Sequence, residues 1–386
     1  MRFKKNEKNT TSKTSSSNLT NRGAIGIDIS QDAIRMVQLS GRSLNQIQLE
    51  KYAITKLPKN IIKGNRIQDY DQLVSYLQHA YAQLRSNNRN IVVALPQNVT
   101  TIETVVYNSR DSEMDLPSYA EYEISQLAPL DEVNYDYQVI GRSSQPLGDK
   151  VLLVAARKEE IEPRLEVFES AGLNPSFMDI DIFAQTNAFS YWINQHSSEL
   201  STEKVALINI GEHEMHALIV QEGQILYKQE SSISGEQLNQ LIQRTYQTNE
   251  EQAANMLKNN DKPIDYQSQI ADRFNIQVAQ EIQRVLHFYY TTQQNEQFSS
   301  VYTYNGGFGS ATQQNEQFSS VKHILITGSA SQQLGLPETV FSQTNTATEC
   351  VHPITYANTS NKLDLSELQQ SAASLTVAFG LALRGL

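Results

Sequence analysis

The chain has 386 residues, 39% of them hydrophobic and 19% charged, which is enough for two domains with sizeable cores. A net charge of −11 argues against nonspecific binding to nucleic acid. The single cysteine, Cys350, excludes an intrachain disulfide framework and a cysteine-based zinc site, and it suits a reducing compartment.

Residues 1–22 stand apart. They carry Arg2, Lys4, Lys5, Lys8, Lys13 and Arg22 against one acid, Glu7, in a background of Ser, Thr and Asn. That composition predicts a disordered basic tail. Two readings stay open for it: a solvated tail without a role, or weak attraction to an anionic membrane surface. No apolar stretch resembling a signal peptide follows Met1, and no run approaches the roughly 18 apolar residues of a membrane span.

The next segments alternate strand and turn. Residues 24–29 (AIGIDI) read as a strand, Ser30-Gln31-Asp32 as a polar turn, and 34–39 (IRMVQL) as a second strand. The same plan returns at 205–210 (VALINI), Gly211-Glu212-His213-Glu214, and 215–220 (MHALIV). Each pair is followed by a third candidate strand, 46–54 and 224–229. Strand–turn–strand openings in both halves predict two domains of similar plan. They differ from the strand–turn–helix of a P-loop or dinucleotide site.

A helix is expected after Asp69, with Leu73, Leu77, Ala80, Tyr81 and Leu84 on one face, and a strand over 91–95 before Pro96. Residues 99–183 read as a compact inserted β-α-β-β-α-β unit. Its first helix begins near Pro117 and sets Ala120, Ile124 and Leu127 inward. Its second sets Ile161, Leu165 and Phe168 inward and stops at Gly172.

In the second half, 236–246 and 273–290 are helical, the latter aligning Phe274, Val278, Ile282, Val285, Leu286 and Tyr289. Residues 324–327 form a short buried strand, and 375–383 a core helix carrying Gly380. One repeat is literal: TQQNEQFSSV occupies 292–301 and again 312–321. The extra copy is expected to bulge out as a polar, glycine-containing loop, since a surface insertion costs little entropy.

Phosphate recognition requires converging backbone N–H groups and a metal held by acids or water. The two hairpin turns, Ser30 to Ala33 and Gly211 to Glu214, are candidates to grip phosphates from either side, with Gly211 allowing close approach. Asp28 is the candidate Mg²⁺ ligand, through water. Ile326-Thr327-Gly328-Ser329-Ala330 suits a flat purine, and Ser234-Gly235-Glu236 begins a helix placed to flank base or ribose. The nucleotide candidates are Asp28, Ser30, Gln31, Asp32, Ala33, Asn209, Gly211, Glu212, His213, Gly235, Glu236, Gly328 and Ser329. His213 and His216 lie three apart in a strand-like run, so they make poor joint metal ligands.

These residues carry a resemblance. The stretches GIDIS…IRMVQL, EYEISQLAPLDEVNYDYQV, VAARKE at 154–159 and AFGLALRGL resemble the PilM family of type IV pilus assembly proteins. That family sits within the wider actin-like group that includes the cell-division protein FtsA. The resemblance implies an α/β actin-like (ribonuclease H-like) fold in two domains with an FtsA-type insert. It also implies ATP or ADP with Mg²⁺ in an interdomain cleft, and the short N-terminal cytoplasmic peptide of the membrane-anchored protein PilN as partner. Other pilus motor and inner-membrane components would join it, on the cytoplasmic side, and the membrane would be reached only through partners.

The expected division is 1–22 tail, 23–98 with 184–203 first core, and 99–183 insert. The second core is then 204–234 with 320–386, and 235–319 a helical subdomain. For the peptide, Pro129, Leu130, Tyr135, Tyr137 and Arg157 are the candidates, with Asp131, Glu132 and Asp136 nearby to attract basic residues; about half of the aromatics are equally expected in the insert's core.

The family pattern has Asp-Ile-Gly at the second turn where this chain has Asn209-Ile210-Gly211. Asn has the shape but cannot act as a base, so the expectation is a scaffold that holds nucleotide with little or no turnover. The alternatives are an active actin-like ATPase or an FtsA-like filament former. A sugar kinase would need a carboxylate base that no segment advertises. Direct membrane docking of the FtsA kind would need a basic amphipathic helix after a linker, whereas this sequence closes on Arg384-Gly385-Leu386.

Overall fold

A computed structural model of the chain describes residues 23–41, 43–110, 113–144, 146–196, 198–258, 262–304, 320–361 and 363–386. The basic tail of 1–22 lies outside these residues. The chain divides into two compact units, one of residues up to Tyr191 with Pro353–Leu368 and Leu375–Leu386, the other of Trp192–His352 with Gln369–Ser374.

The first unit begins with β1 (Gly23–Ile29), β2 (Ala33–Ser40) and β3 (Gln48–Lys56), an antiparallel meander. A small ribbon, β4 (Ile62–Lys63) and β5 (Arg66–Ile67), precedes α1 (Tyr70–Leu84). Asp69 caps α1 by accepting from Gln72 N, and Leu73, Leu77, Ala80 and Leu84 are buried, as the 3.6-residue period requires. Next, β6 (Ile91–Leu95) pairs parallel with β1.

The insert is smaller than expected. β7 (Thr100–Tyr107), α2 (Leu116–Leu127), β8 (Val133–Ser144) and β9 (Leu147–Arg157) form a three-stranded antiparallel sheet in the order β7-β9-β8, with α2 on one face. Its last two expected elements leave it. α3 (Lys158–Ser170) buries Ile161, Val167 and Phe168 in the same core as α1. β10 (Phe177–Ile180) pairs parallel with β6 in the main sheet. The reason is apolar burial: Met178 and Ile180 are at most 5% exposed beside β6 of the main sheet, whereas the small sheet has α2 on one face only. Leu127 is the exception on α2, 40% exposed rather than inward. α4 (Asp181–His196) then carries the chain into the second unit.

The second unit repeats the plan. β11 (Val205–Ile210), β12 (Met215–Gln221) and β13 (Gln224–Ser231) form another antiparallel meander. After α5 (Gly235–Tyr246), α6 (Glu250–Lys258) and α7 (Asp272–Tyr304), β14 (His323–Thr327) pairs parallel with β11. α8 (Leu336–Thr344) leads to β15 (Ala347–Cys350), parallel to β14. The order is β13-β12-β11-β14-β15, which matches β3-β2-β1-β6-β10 of the first unit strand for strand.

α7 buries all six residues its periodicity names. It is also longer than expected, at 33 residues, and takes in the first TQQNEQFSSV copy instead of leaving it as loop. That copy has no Gly or Pro and is rich in Gln and Glu, so nothing stops the helix. Residues 305–319, with the connecting glycines and most of the second copy, lie outside the described set. Val321, the last residue of that copy, is buried and its N–H bonds Tyr290 Oη at 3.0 Å.

The C-terminal segment corrects the expected domain boundary, since most of 353–386 returns to the first unit. β16 (Asn358–Thr359) pairs with the edge strand β3, and after α9 (Leu365–Ser371), α10 (Thr376–Arg384) packs on β1. Two glycines make the close fit: a Cβ at Gly26 would strike the Ala378 carbonyl, and one at Gly380 the Ala184 carbonyl.

Candidate functional site

In the first unit the β1–β2 turn is closed by Ser30 N–H bonding Ala33 O at 3.0 Å. Asp28 and Arg35 are cross-strand partners, so their side chains share a face. Arg35 is only 7% exposed. Its guanidinium donates to Asp32 Oδ2 at 2.5 Å and to Ser30 Oγ at 2.6 Å, and stands 3.9 Å from Asp28 Oδ2. Ser30 Oγ in turn lies 2.8 Å from Asp32 Oδ1. Gln31 Oε1 accepts from Gly64 N at 3.0 Å, tying the turn to the β4–β5 ribbon.

Arg35 is the residue the sequence reading overlooked. Its signal was a lone guanidinium inside an apolar strand, directly opposite Asp28. A buried guanidinium must be paired, and two acids of the turn provide this. For the Mg²⁺ that the fold implies, one carboxylate with water and phosphate oxygens is an ordinary protein share, which Asp28 fits, and Arg35 tempers that acid's charge.

In the second unit, residues distant in sequence come together around the β11–β12 turn. Gly211 N–H bonds Glu214 O at 2.9 Å. Gly235 N–H bonds Gly211 O at 2.9 Å, Glu236 N–H bonds Glu212 O at 2.8 Å, and Ala330 N–H bonds Ile210 O at 3.1 Å. A Cβ at Gly235 would lie 2.5 Å from Glu212 Oε2, so helix start and turn are in contact. Gly328, at φ +103°, occupies a conformation L side chains rarely adopt. His213 Nδ1 lies 3.4 Å from Glu236 Oε2. The hydrogen bond to His216 holds the Glu214 carboxyl below its ordinary range.

These bonds account for four of the N–H groups in the candidate segments. The N–H groups of Ser30 and Gly211 close their own turns, and those of Gly235 and Glu236 go to the neighbouring turn's carbonyls. The first pair shapes each turn and the second joins the helix start to the β11–β12 turn, since backbone N–H groups removed from water pair where a carbonyl is in reach. What the glycines leave is space: positions where a side chain would collide with backbone or a carboxylate.

On the insert, the peptide candidates separate into two groups. Tyr135 and Tyr137 pack against the α2 side of the sheet, and Tyr135 Oη donates to Glu121 Oε1 at 2.7 Å. Burial, reinforced by Glu121, pushes the Tyr135 phenol up to about 12. Leu130 and Arg157 are exposed, with Arg157 3.4 Å from Glu159 Oε1. The Pro129 carbonyl accepts from Glu132 N–H at 3.0 Å, forming the turn that presents Leu130.

Two sheets that share a five-strand order, each opened by a strand–turn–strand hairpin, define an actin-like α/β fold with an inserted subdomain. The chain belongs to the family described as Type IV pilus assembly protein PilM, which matches residues 26–317 and 307–386. It is an actin-like protein of type IV pilus assembly. A solved structure titled PilM-PilN type IV pilus biogenesis complex is similar at TM-score 0.72 and 20% identity, covering 94% of this chain and 98% of that one. The ethanolamine utilization protein EutJ from Carboxydothermus hydrogenoformans shares the fold at TM-score 0.54 and 12% identity, covering 95% and 91%. No helix among the described residues is long and apolar enough to cross a membrane.

Proposed function

We propose that the chain is a nucleotide-retaining scaffold of the inner-membrane pilus assembly complex that binds the cytoplasmic N-terminal peptide of PilN and links it to the pilus motor. The observation that carries the partner reading is on the insert. Met114, Tyr122, Leu127, Leu130, Val139 and Leu147, all within this one small subdomain, are 38–63% exposed. β8 is an edge strand of the sheet, and edge backbone with adjoining apolar side chains is what a short peptide pairs with. The similarity to a PilM-PilN complex supports the choice of peptide. On this reading the protein works on the cytoplasmic side and meets the membrane through its partners.

The nucleotide candidates are Asp28 and the Ser30–Ala33 turn on the first unit, and Gly211, Glu212, Gly235, Gly328 and Ser329 on the second. Mg²⁺, held through water by Asp28, would neutralise phosphate charge. Asn209 offers an amide and no base, so retention without turnover follows. The nucleotide, ATP or ADP, would be held rather than turned over.

The test is calorimetry with the PilN N-terminal peptide, with and without ATP, on wild type, Leu130→Glu and Arg157→Glu. Both side chains are exposed, so both variants should fold by circular dichroism, and each should weaken binding at least fivefold. Wild-type affinity in both folded variants would remove the peptide site from this face. Tyr135→Ala is less discriminating, because Tyr135 also supports the α2 core.

A further inference from the structure

We infer that the second unit carries a divalent transition-metal site formed by Glu214, His216 and Glu230. Glu214 and His216 are two apart in an extended run, so their side chains fall on the same face. Glu230 on β13 is the direct cross-strand partner of His216 on β12, which brings the third group onto that face. One ligand atom from each of the three lies within 4.8 Å of the others. His216 Nε2 stands 3.1 Å from Glu214 Oε1 and 3.8 Å from Glu230 Oε1.

Tetrahedral zinc, with bonds of about 2.0–2.2 Å to nitrogen and oxygen, separates its ligand atoms by about 3.4 Å. The two spacings measured from His216 Nε2 bracket that value, and the two carboxylates lie within 4.8 Å of each other. His216 is 7% exposed and fixed within the sheet, whereas the Glu214 and Glu230 side chains are 44% and 32% exposed. The imidazole is thus held in place while the acids keep a path for ion and water. One imidazole with two carboxylates suits zinc, manganese or iron(II) better than magnesium, which favours oxygen alone. His213 takes no part, since its ring faces Glu236 on α5.

The site has a mechanical consequence. The Glu214 carbonyl closes the β11–β12 turn by accepting from Gly211 N–H. An ion bridging Glu214 to Glu230 ties that turn to the third strand of the meander and stiffens it. Nothing in this rests on the nucleotide reading, and the experiment contains no nucleotide.

The full-length, tag-free chain is stripped with a chelator, dialysed, and titrated with Zn²⁺ by calorimetry and with Co²⁺ by visible absorption. Thermal melts with and without Zn²⁺ run in parallel. The expected result is one equivalent bound, a Co²⁺ d–d spectrum of low coordination number, and a higher melting temperature with Zn²⁺. Affinity should fall at least tenfold in both His216→Ala and Glu230→Gln. Glu230→Gln is nearly isosteric at a solvent-facing position, so it remains informative should His216→Ala fail to fold. Absence of saturable binding in wild type overturns the assignment, leaving a histidine shared between two carboxylates. So does binding that survives Glu230→Gln but is lost in His213→Ala.

Discussion

A side chain at Gly328 would bring its Cβ to 2.5 Å from Asn209 Oδ1, and closer still to the Ile210 carbonyl. The end of β11 and the corner after β14 are therefore fitted to each other with no room for a methyl group. The φ of +103° adds a backbone penalty to the steric one. Gly328→Ala should lower stability by about 3 kcal/mol, at the upper end of local backbone strain, seen as a lower denaturation midpoint. An unchanged midpoint would show that the corner adjusts freely.

Asn209 also sets the catalytic expectation. The purified protein should bind an adenine nucleotide and release phosphate at or near background, because position 209 offers an amide in place of a carboxylate to activate water. Asn209→Asp is the gain-of-function trial. Robust steady-state turnover by wild type, abolished in Asp28→Ala, would refute the scaffold reading of the site.

Gly380 tests the return of the C-terminus. Its Cα lies against the Ala184 carbonyl, where even alanine would force α10 away from α4. Overpacking of this kind costs about 1–3 kcal/mol and occasionally more. Gly380→Ala should therefore reduce the melting temperature by several degrees. Truncation after Thr359 should be worse still, since it removes the helix that covers β1.

His352 gives a pH signature. Burial makes its imidazole harder to protonate, so its folded pKa lies below the ordinary 6.5. Above 6.5 the group is neutral in both states and its contribution to stability is intact. As pH falls below 6.5 the unfolded chain takes up a proton first, and that contribution is lost down to the folded pKa. The difference between wild type and His352→Asn in denaturant titrations should be flat above pH 7 and shrink toward pH 5. A difference independent of pH would contradict the neutral assignment.

The duplication offers a deletion test. Removing residues 292–311 leaves one TQQNEQFSSV copy leading from Thr291 to Lys322. The buried positions of α7 from Phe274 to Tyr289 all precede the cut. Folding and nucleotide binding should survive, with a melting temperature within a few degrees of wild type. A large loss would mean that the helical extension up to Tyr304 packs against the body of the protein.

The amino-acid sequence alone determined the local elements and their repetition. Strand–turn–strand patterns at Ala24 and Val205, the cap at Asp69 and the periodic face of α7 are written in alternation and spacing, which depend on near neighbours. The family was likewise legible, because motifs such as GIDIS and AFGLALRGL are contiguous. What only the tertiary structure decided involves residues far apart in the chain. It moved β10 into the main sheet and α10 onto β1, since burying their apolar faces depends on which partner has a layer to offer. Over shorter spans, hairpin geometry set Arg35 against Asp28 and Asp32, and Glu230 against His216, pairings that the alternation of apolar residues does not specify. The tertiary structure also spent the N–H groups of Gly235 and Glu236 on joining helix start to turn. Local periodicity records which face of an element is apolar, while the identity of the opposing surface is a property of the whole chain's packing.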